Sequence, residues 1–410
     1  MTSGKIGVVL LATVALAGCA AAAGWPQWRG PDRDGISKEA GVLADWTQPP
    51  KKLWQVATTG AGYNGPAVVG NALYIAGSTG AGKARTGILE ARNAADGAIL
   101  WQYEYGPEWG ASFESARTTP TVADGRIYLV SGQGRVVCVN ARDGQKIWAV
   151  DTFERFNGRN TQWGIAESPL LVGKKLICHP GGPDAAVAAL DIATGETVWT
   201  SKGLGDASAY CSPALLVLNN RRQIVTQTAE NVVGLDPETG AVLWKHPHKN
   251  KYAVHPNTPV AVGPDRVVVS SGYGYGTEGL QIGADGARRL WLVKEADCHF
   301  HGMLLLDKRL YLSSASTGAL FCIDPQTGNV LSKLDGVGRA SIAATEAGIL
   351  AYAESGKVFL VKRSGDACQV NGSFPVDFGQ QQHWAQPVLA DGVLYVRHGA
   401  ALAAYDVKAK

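Results

Sequence analysis

One short pattern recurs along the chain and limits what it can become. Its best copy is "ALDIATGETVW", Ala189–Trp199. The same order of residues ends at Trp101 in "ARNAADGAILW", at Trp148 in "CVNARDGQKIW" and at Trp244 in "GLDPETGAVLW". "CIDPQTGNVLS" keeps the turn but puts Ser332 in the place of the tryptophan, and Trp291 closes a degraded copy. Each copy reads as a hairpin. A strand ends on Asp or Asn, whose side chain bonds turn backbone groups. Gly supplies the positive φ of the turn. The returning strand ends on Trp, a broad apolar surface suited to wedging against a neighbouring unit.

A second pattern precedes these hairpins: a short apolar strand, a polar turn and another apolar strand. It opens at Gly65, Thr119, Ser168, Ser212, Thr258, Gly302, Ser341 and Gln386. The openings are about 40 to 55 residues apart, and four strands at that period are propeller blades. Eight openings predict an all-β, eight-bladed propeller of four-stranded blades, spanning residues 51–410. The last unit ends in "ALAAYDVKAK", with no room for a fourth strand. "KKLWQV", Lys51–Val56, is therefore expected to supply that strand and close the ring, because an open ring leaves free edges and an uncovered face.

Lys5 precedes the apolar run "IGVVLLATVALAG", which is too short for a stable membrane span. It runs into "LAGC", Leu16–Cys19, similar to a lipoprotein signal in which Cys19 is lipidated and becomes the new N-terminus. An ordinary secretory signal cut after "AAA" is the alternative. Residues 1–19 are thus expected to be a signal peptide, with the mature chain exported to the periplasm and anchored to the outer membrane. Residues 20–50 form an extension on the propeller. Trp25 and Trp28 are too large to leave in water, so this extension is expected to pack on the outside of a blade.

Composition excludes some functions. The formal charge is only +3, without a concentrated basic run, which argues against nucleic acid as a partner. "GSTGAGKA", Gly77–Ala84, misses a phosphate-binding loop at Ala84, where Ser or Thr must hold magnesium, and a hairpin follows instead of a helix. ATP is therefore not expected. "GYGYGTEG", Gly272–Gly279, lacks dinucleotide spacing and reads as a loop whose tyrosines could stack on a ligand. The six cysteines after Cys19 contain no CxxC pair, and Cys138 and Cys322 read as core filler.

The repeats, the "SPxxxG" inner strands and the segment "WPQWRGPDRDGIS" resemble bacterial PQQ-like β-propeller repeat proteins over about Trp25 to Tyr405. That family shares its eight-bladed fold with quinoprotein alcohol dehydrogenases and with the propeller lipoprotein of the outer-membrane barrel assembly machinery. The resemblance implies the fold and leaves open both an enzyme and a docking scaffold.

"DCHFHG", Asp297–Gly302, stands just before the sixth inner strand. In a propeller these strand starts converge at one mouth of the central channel. The same register holds Tyr63 and Asn64, Glu114 and Arg117, Trp163 and Glu167, Tyr210 and Cys211, His255 and Asn257, His299 and His301, Arg339, and His383 and Trp384. Arg117, Trp163, Glu167, Tyr210, His255, Asn257, His299, His301, Arg339, His383 and Trp384 are the expected ligand-binding set. His255, His299 and His301 are the candidate ligands for a transition metal. The resemblance adds PQQ with calcium as a candidate cofactor, for which Glu167, Asn257, Arg117, Arg339 and Trp163 are suitable residue types. This chain lacks the adjacent cysteine pair of those enzymes, and Asp297 is the only nearby acid available as a base. The expectation is a binding or docking platform working through its funnel, with an envelope protein or a small ligand as partner. The alternative is a periplasmic enzyme, quinoprotein-like or acting on sugars through the mouth histidines and arginines.

Overall fold

A computed structural model describes residues 24–300 and 302–409. It contains eight four-stranded antiparallel sheets. Seven are built from consecutive strands. In the eighth, the strands Val388–Ala390, Val393–His398 and Ala401–Asp406 are completed by Lys51–Ala57. Lys51 pairs with Asp406 and Ala57 with Ala401, so the first strand of the propeller closes the ring as its sequence requires.

The hairpin pattern explains how the blades hold together. Asp191 and Asp236 accept hydrogen bonds from the amides of Ala193 and Glu238, fixing the turns. Most of the closing tryptophans then reach the next blade, whereas Trp244 donates to Gln223 Oε1 of its own blade at 2.7 Å. Trp101 donates through Nε1 to Ala141 O, Trp148 to Ile192 O, Trp199 to Pro237 O and Trp291 to Pro325 O, all at 3.1–3.2 Å. Trp54, on the closing strand, makes the same bond to Ala94 O of the first blade. Each backbone acceptor is the residue after the Asp or Asn of the turn, so one repeat recognises the backbone of the next. The turn glycine is required twice over. Gly240 has φ +74°, and a Cβ there would come within 2.3 Å of the Trp199 ring. Cys138 and Cys322 are fully buried in the seams between blades.

The N-terminal extension corrects one expectation. Only its second half, where Trp46 packs against Phe374, lies against the flank of a blade. Residues 25–37 instead run inside the central channel. Trp25 bridges to Val68 in the first inner strand, and Val122 of the second donates to Pro26 O. Arg33 donates to the carbonyls of Ser168, Pro169 and Pro213, and Arg29 to that of Met303. Trp28 Nε1 reaches Thr258 Oγ1, and Ser37 N reaches Ala344 O. Seven of the eight inner strands or their starts thus bond this segment. It leaves past the turns at Glu346 and Asp391–Gly392, at the end of the channel away from the strand starts. The physical reason is the width of an eight-bladed channel. Its walls present carbonyls that need donors, and two arginine forks supply them.

Candidate ligand-binding cavity

The plug converts the channel into a blind cavity of about 590 Å³ that opens at the strand starts. Trp28 forms part of its lining from below. Aromatic side chains continue around the mouth in an unbroken series. Trp163 meets Tyr252 at 6.0 Å between ring centroids, Tyr252 meets Tyr273 at 4.7 Å, and Tyr273 meets His299 at 4.8 Å. His299 then meets Phe300 at 4.8 Å, Phe300 meets Trp384 at 5.1 Å, and Trp384 meets Phe113 at 5.3 Å. Arg117 closes the collar by donating to the carbonyls of both Phe113 and Trp163.

Of the residues predicted from the mouth register, Tyr63, Arg117, Trp163, Tyr210, His299, Arg339 and Trp384 line this cavity. Glu167, His255, Asn257 and His383 do not. Glu167 is buried and pairs with His179, whose Nε2 stands 2.9 Å from Thr226 Oγ1. Asn257 is spent on the backbone of the 298–302 loop. Its amide donates to Cys298 O at 2.7 Å and His299 O at 2.6 Å, and its carbonyl oxygen accepts from Gly302 N at 3.2 Å. His383 bonds Tyr352 Oη at 2.7 Å and stacks on His398 at 3.6 Å. Burial, then repulsion from His398, lowers its pKa to about 4.

His255 is wholly buried. Its Nδ1 stands 2.6 Å from Ser271 Oγ, which is also 2.6 Å from Nε2 of His248. His248 Nδ1 is 2.6 Å from Glu278 Oε1. Burial, then the neighbouring His248, pushes the pKa of His255 down to about 3. Glu278 is held down to about 2, because bonds from His246 and His248 outweigh the opposing effect of burial. His255 and His299 therefore face different surroundings, one a sealed relay and the other the aromatic collar. His301 lies outside the described residues. Among the described residues, no three His, Cys, Asp or Glu side chains gather as metal ligands.

Asp297 is at the cavity edge, but its carboxylate is occupied. It accepts from Gly274 N at 3.0 Å, Ser314 Oγ at 3.0 Å, Ser316 N at 2.9 Å and Ser316 Oγ at 2.6 Å. "DCHFHG" is thus a mouth segment in which Asp297 organises two neighbouring loops while His299 and Phe300 form part of the collar. Of the residue types suggested for PQQ and calcium, Arg117, Trp163 and Arg339 line the cavity and Glu167 and Asn257 do not. Glu167 is committed to His179, and Asn257 to backbone groups.

The register missed Trp28, Phe113 and Phe300. The size of Trp28 signalled that it would be buried, but not that its place is inside the channel.

The family model described as outer membrane protein assembly factor BamB matches residues 85–334. The chain belongs to the PQQ-like β-propeller repeat family. Within this family it is similar to quinoprotein alcohol dehydrogenase PedH of Pseudomonas putida, at 26% identity over 49% of this chain and 31% of the relative. It is 25% identical to outer membrane protein assembly factor BamB of Kangiella koreensis, over 46% of this chain and 45% of that one. The chain thus spans less than half the length of either relative. Among solved structures, europium-containing methanol dehydrogenase superposes with a TM-score of 0.71 at 12% identity, covering 93% of this chain and 90% of that one. BamB from Moraxella catarrhalis gives 0.61 at 16% identity, covering 88% and 98%. At these identities the structural likeness carries the fold alone.

Proposed function

We propose that this family member is an exported binding propeller that takes a small ligand into the plugged cavity through its aromatic collar. The observation that carries this reading is the Trp28 floor. A surface built only for docking has no need of a closed concavity of about 590 Å³ walled by aromatic rings. The enzyme alternative draws on the dehydrogenase relatives, but the commitments of Glu167 and Asn257 weigh against its quinoprotein form. The assembly-factor relatives support a second use, in which an envelope protein docks at the funnel of the same propeller.

Lipid on Cys19 would set the orientation. Six peptide links separate Cys19 from Trp25, which at full stretch is about 20 Å. Trp25 lies next to Val68, beside the turn at the far end of the first inner strand. The anchor would therefore hold that end near the membrane and leave the collar facing the periplasm. The test is native mass spectrometry of the full chain purified from gently solubilised envelopes. The reading expects a small-molecule adduct that is lost when Trp163→Ala shortens the collar. A stoichiometric protein partner, with no adduct in wild type, would overturn it in favour of docking.

A further inference from the structure

The charges around the cavity narrow the chemistry of what it holds. Arg117 lines the wall, and among the described residues its hydrogen bonds go to two neutral carbonyls, those of Phe113 and Trp163. Among the described residues, no carboxylate stands within ion-pair distance of it, and its side chain is half-buried, with Glu108 its strongest longer-range attraction. A guanidinium does not shed its proton in a protein, so the wall carries a charge with no ion-pair partner among the described residues. Two of its five N–H donors are engaged.

The acids that could neutralise it are engaged elsewhere. Glu108 accepts from Tyr105 Oη at 2.7 Å, Trp109 N at 2.7 Å and Gly132 N at 2.6 Å, and burial drives its carboxyl toward the neutral form. Asp297 accepts the four bonds described above. Glu354 faces Trp384 Nε1 at 3.1 Å and Arg339 at 3.7 Å. Beneath the floor, Arg29 and Arg33 are buried and bonded mainly to carbonyls, without a carboxylate in ion-pair range. Positive potential thus comes from wall and floor together, inside walls of aromatic carbon. Low-dielectric walls strengthen that potential.

We infer that the cavity selects a monoanion with a flat apolar body, in the class of an aromatic carboxylate or sulfonate, whose acid group pairs with Arg117 while its rings stack within the collar. Arg117 is the lining guanidinium without an ion-pair partner among the described residues, since Arg339 faces Glu354, and one such group suits one acid group. This inference rests on the ligand-cavity reading above.

Two fluorescent probes separate the claims, because they share one ring system and differ by a sulfonate: 1-anilinonaphthalene-8-sulfonate and neutral N-phenyl-1-naphthylamine. With the full chain, the sulfonate is expected to bind at least tenfold more tightly than the neutral probe. Arg117→Met should weaken the sulfonate at least tenfold more than it weakens the neutral probe, whose binding changes only through the collar. Arg117→Lys should restore part of the difference, which loss of the two carbonyl bonds alone would not do. Equal wild-type affinities, or a preference that survives Arg117→Met in folded protein, overturn the anion inference while leaving a ligand cavity in place. If neither probe responds to Trp163→Ala, the cavity reading itself falls and the inference falls with it. If Arg117→Met does not fold, the wild-type comparison of the two probes decides.

Discussion

Acid should weaken this fold through His255, and the size of the effect follows from its surroundings. The imidazole is fully buried, bonded to Ser271 Oγ and set edge-on to His248 at 4.8 Å. Its folded pKa is about 3, against an ordinary value of 6.5. A histidine whose folded pKa is depressed contributes fully above the unfolded value. That contribution is lost as pH falls from about 6.5 toward 3, because the unfolded chain takes up a proton that the folded chain refuses. Between pH 7 and pH 5, one such site costs about 2 kcal/mol. His248 is shifted in the same direction, by burial first, and adds to the loss. Glu278, held near 2, joins only below the ordinary carboxylate range. The assay is urea unfolding at the two pH values, in wild type and in His255→Gln, which cannot take the charge. The variant is less stable at pH 7, but its stability should fall by about 2 kcal/mol less between pH 7 and pH 5. An unchanged pH dependence in His255→Gln would refute the assignment.

Other perturbations test the seams and the plug. Gly240→Ala should cost about 3 kcal/mol, because it combines a positive φ with a Cβ driven into Trp199. Gly203→Ala, with φ +77° and open space around it, should cost only about 1 kcal/mol, and thermal unfolding of the pair measures the difference. Arg33→Met should cost about 3 kcal/mol by leaving the carbonyls of Ser168, Pro169 and Pro213 without this donor, as read by denaturant midpoints.

The ring was legible because its information is carried by side chains at a fixed period. Asp or Asn, Gly and Trp mark most of the hairpins, and the unpaired end of "ALAAYDVKAK" called for Lys51–Val56. The mouth was legible only as a register. Strand starts name which residues gather there, but not which way each points. Arg117, Trp163, Tyr210, His299, Arg339 and Trp384 turn into the cavity, whereas Asn257 turns sideways to hold the 298–302 loop. The plug was not legible. "WPQWRGPDRDGIS" has no periodicity, and its destination is set by backbone carbonyls lining a wide channel, which no pattern of side chains records.

Amide hydrogen exchange of residues 25–37 tests the closed floor most directly. The amides of Trp25, Gly35 and Ser37 are bonded to Val68 O, Arg29 O and Ala344 O inside the channel. The account predicts exchange as slow as that of the inner strands, slowed further when 1-anilinonaphthalene-8-sulfonate binds above Trp28. Exchange over this segment at the rate of a loose chain terminus, with or without the probe, would contradict it.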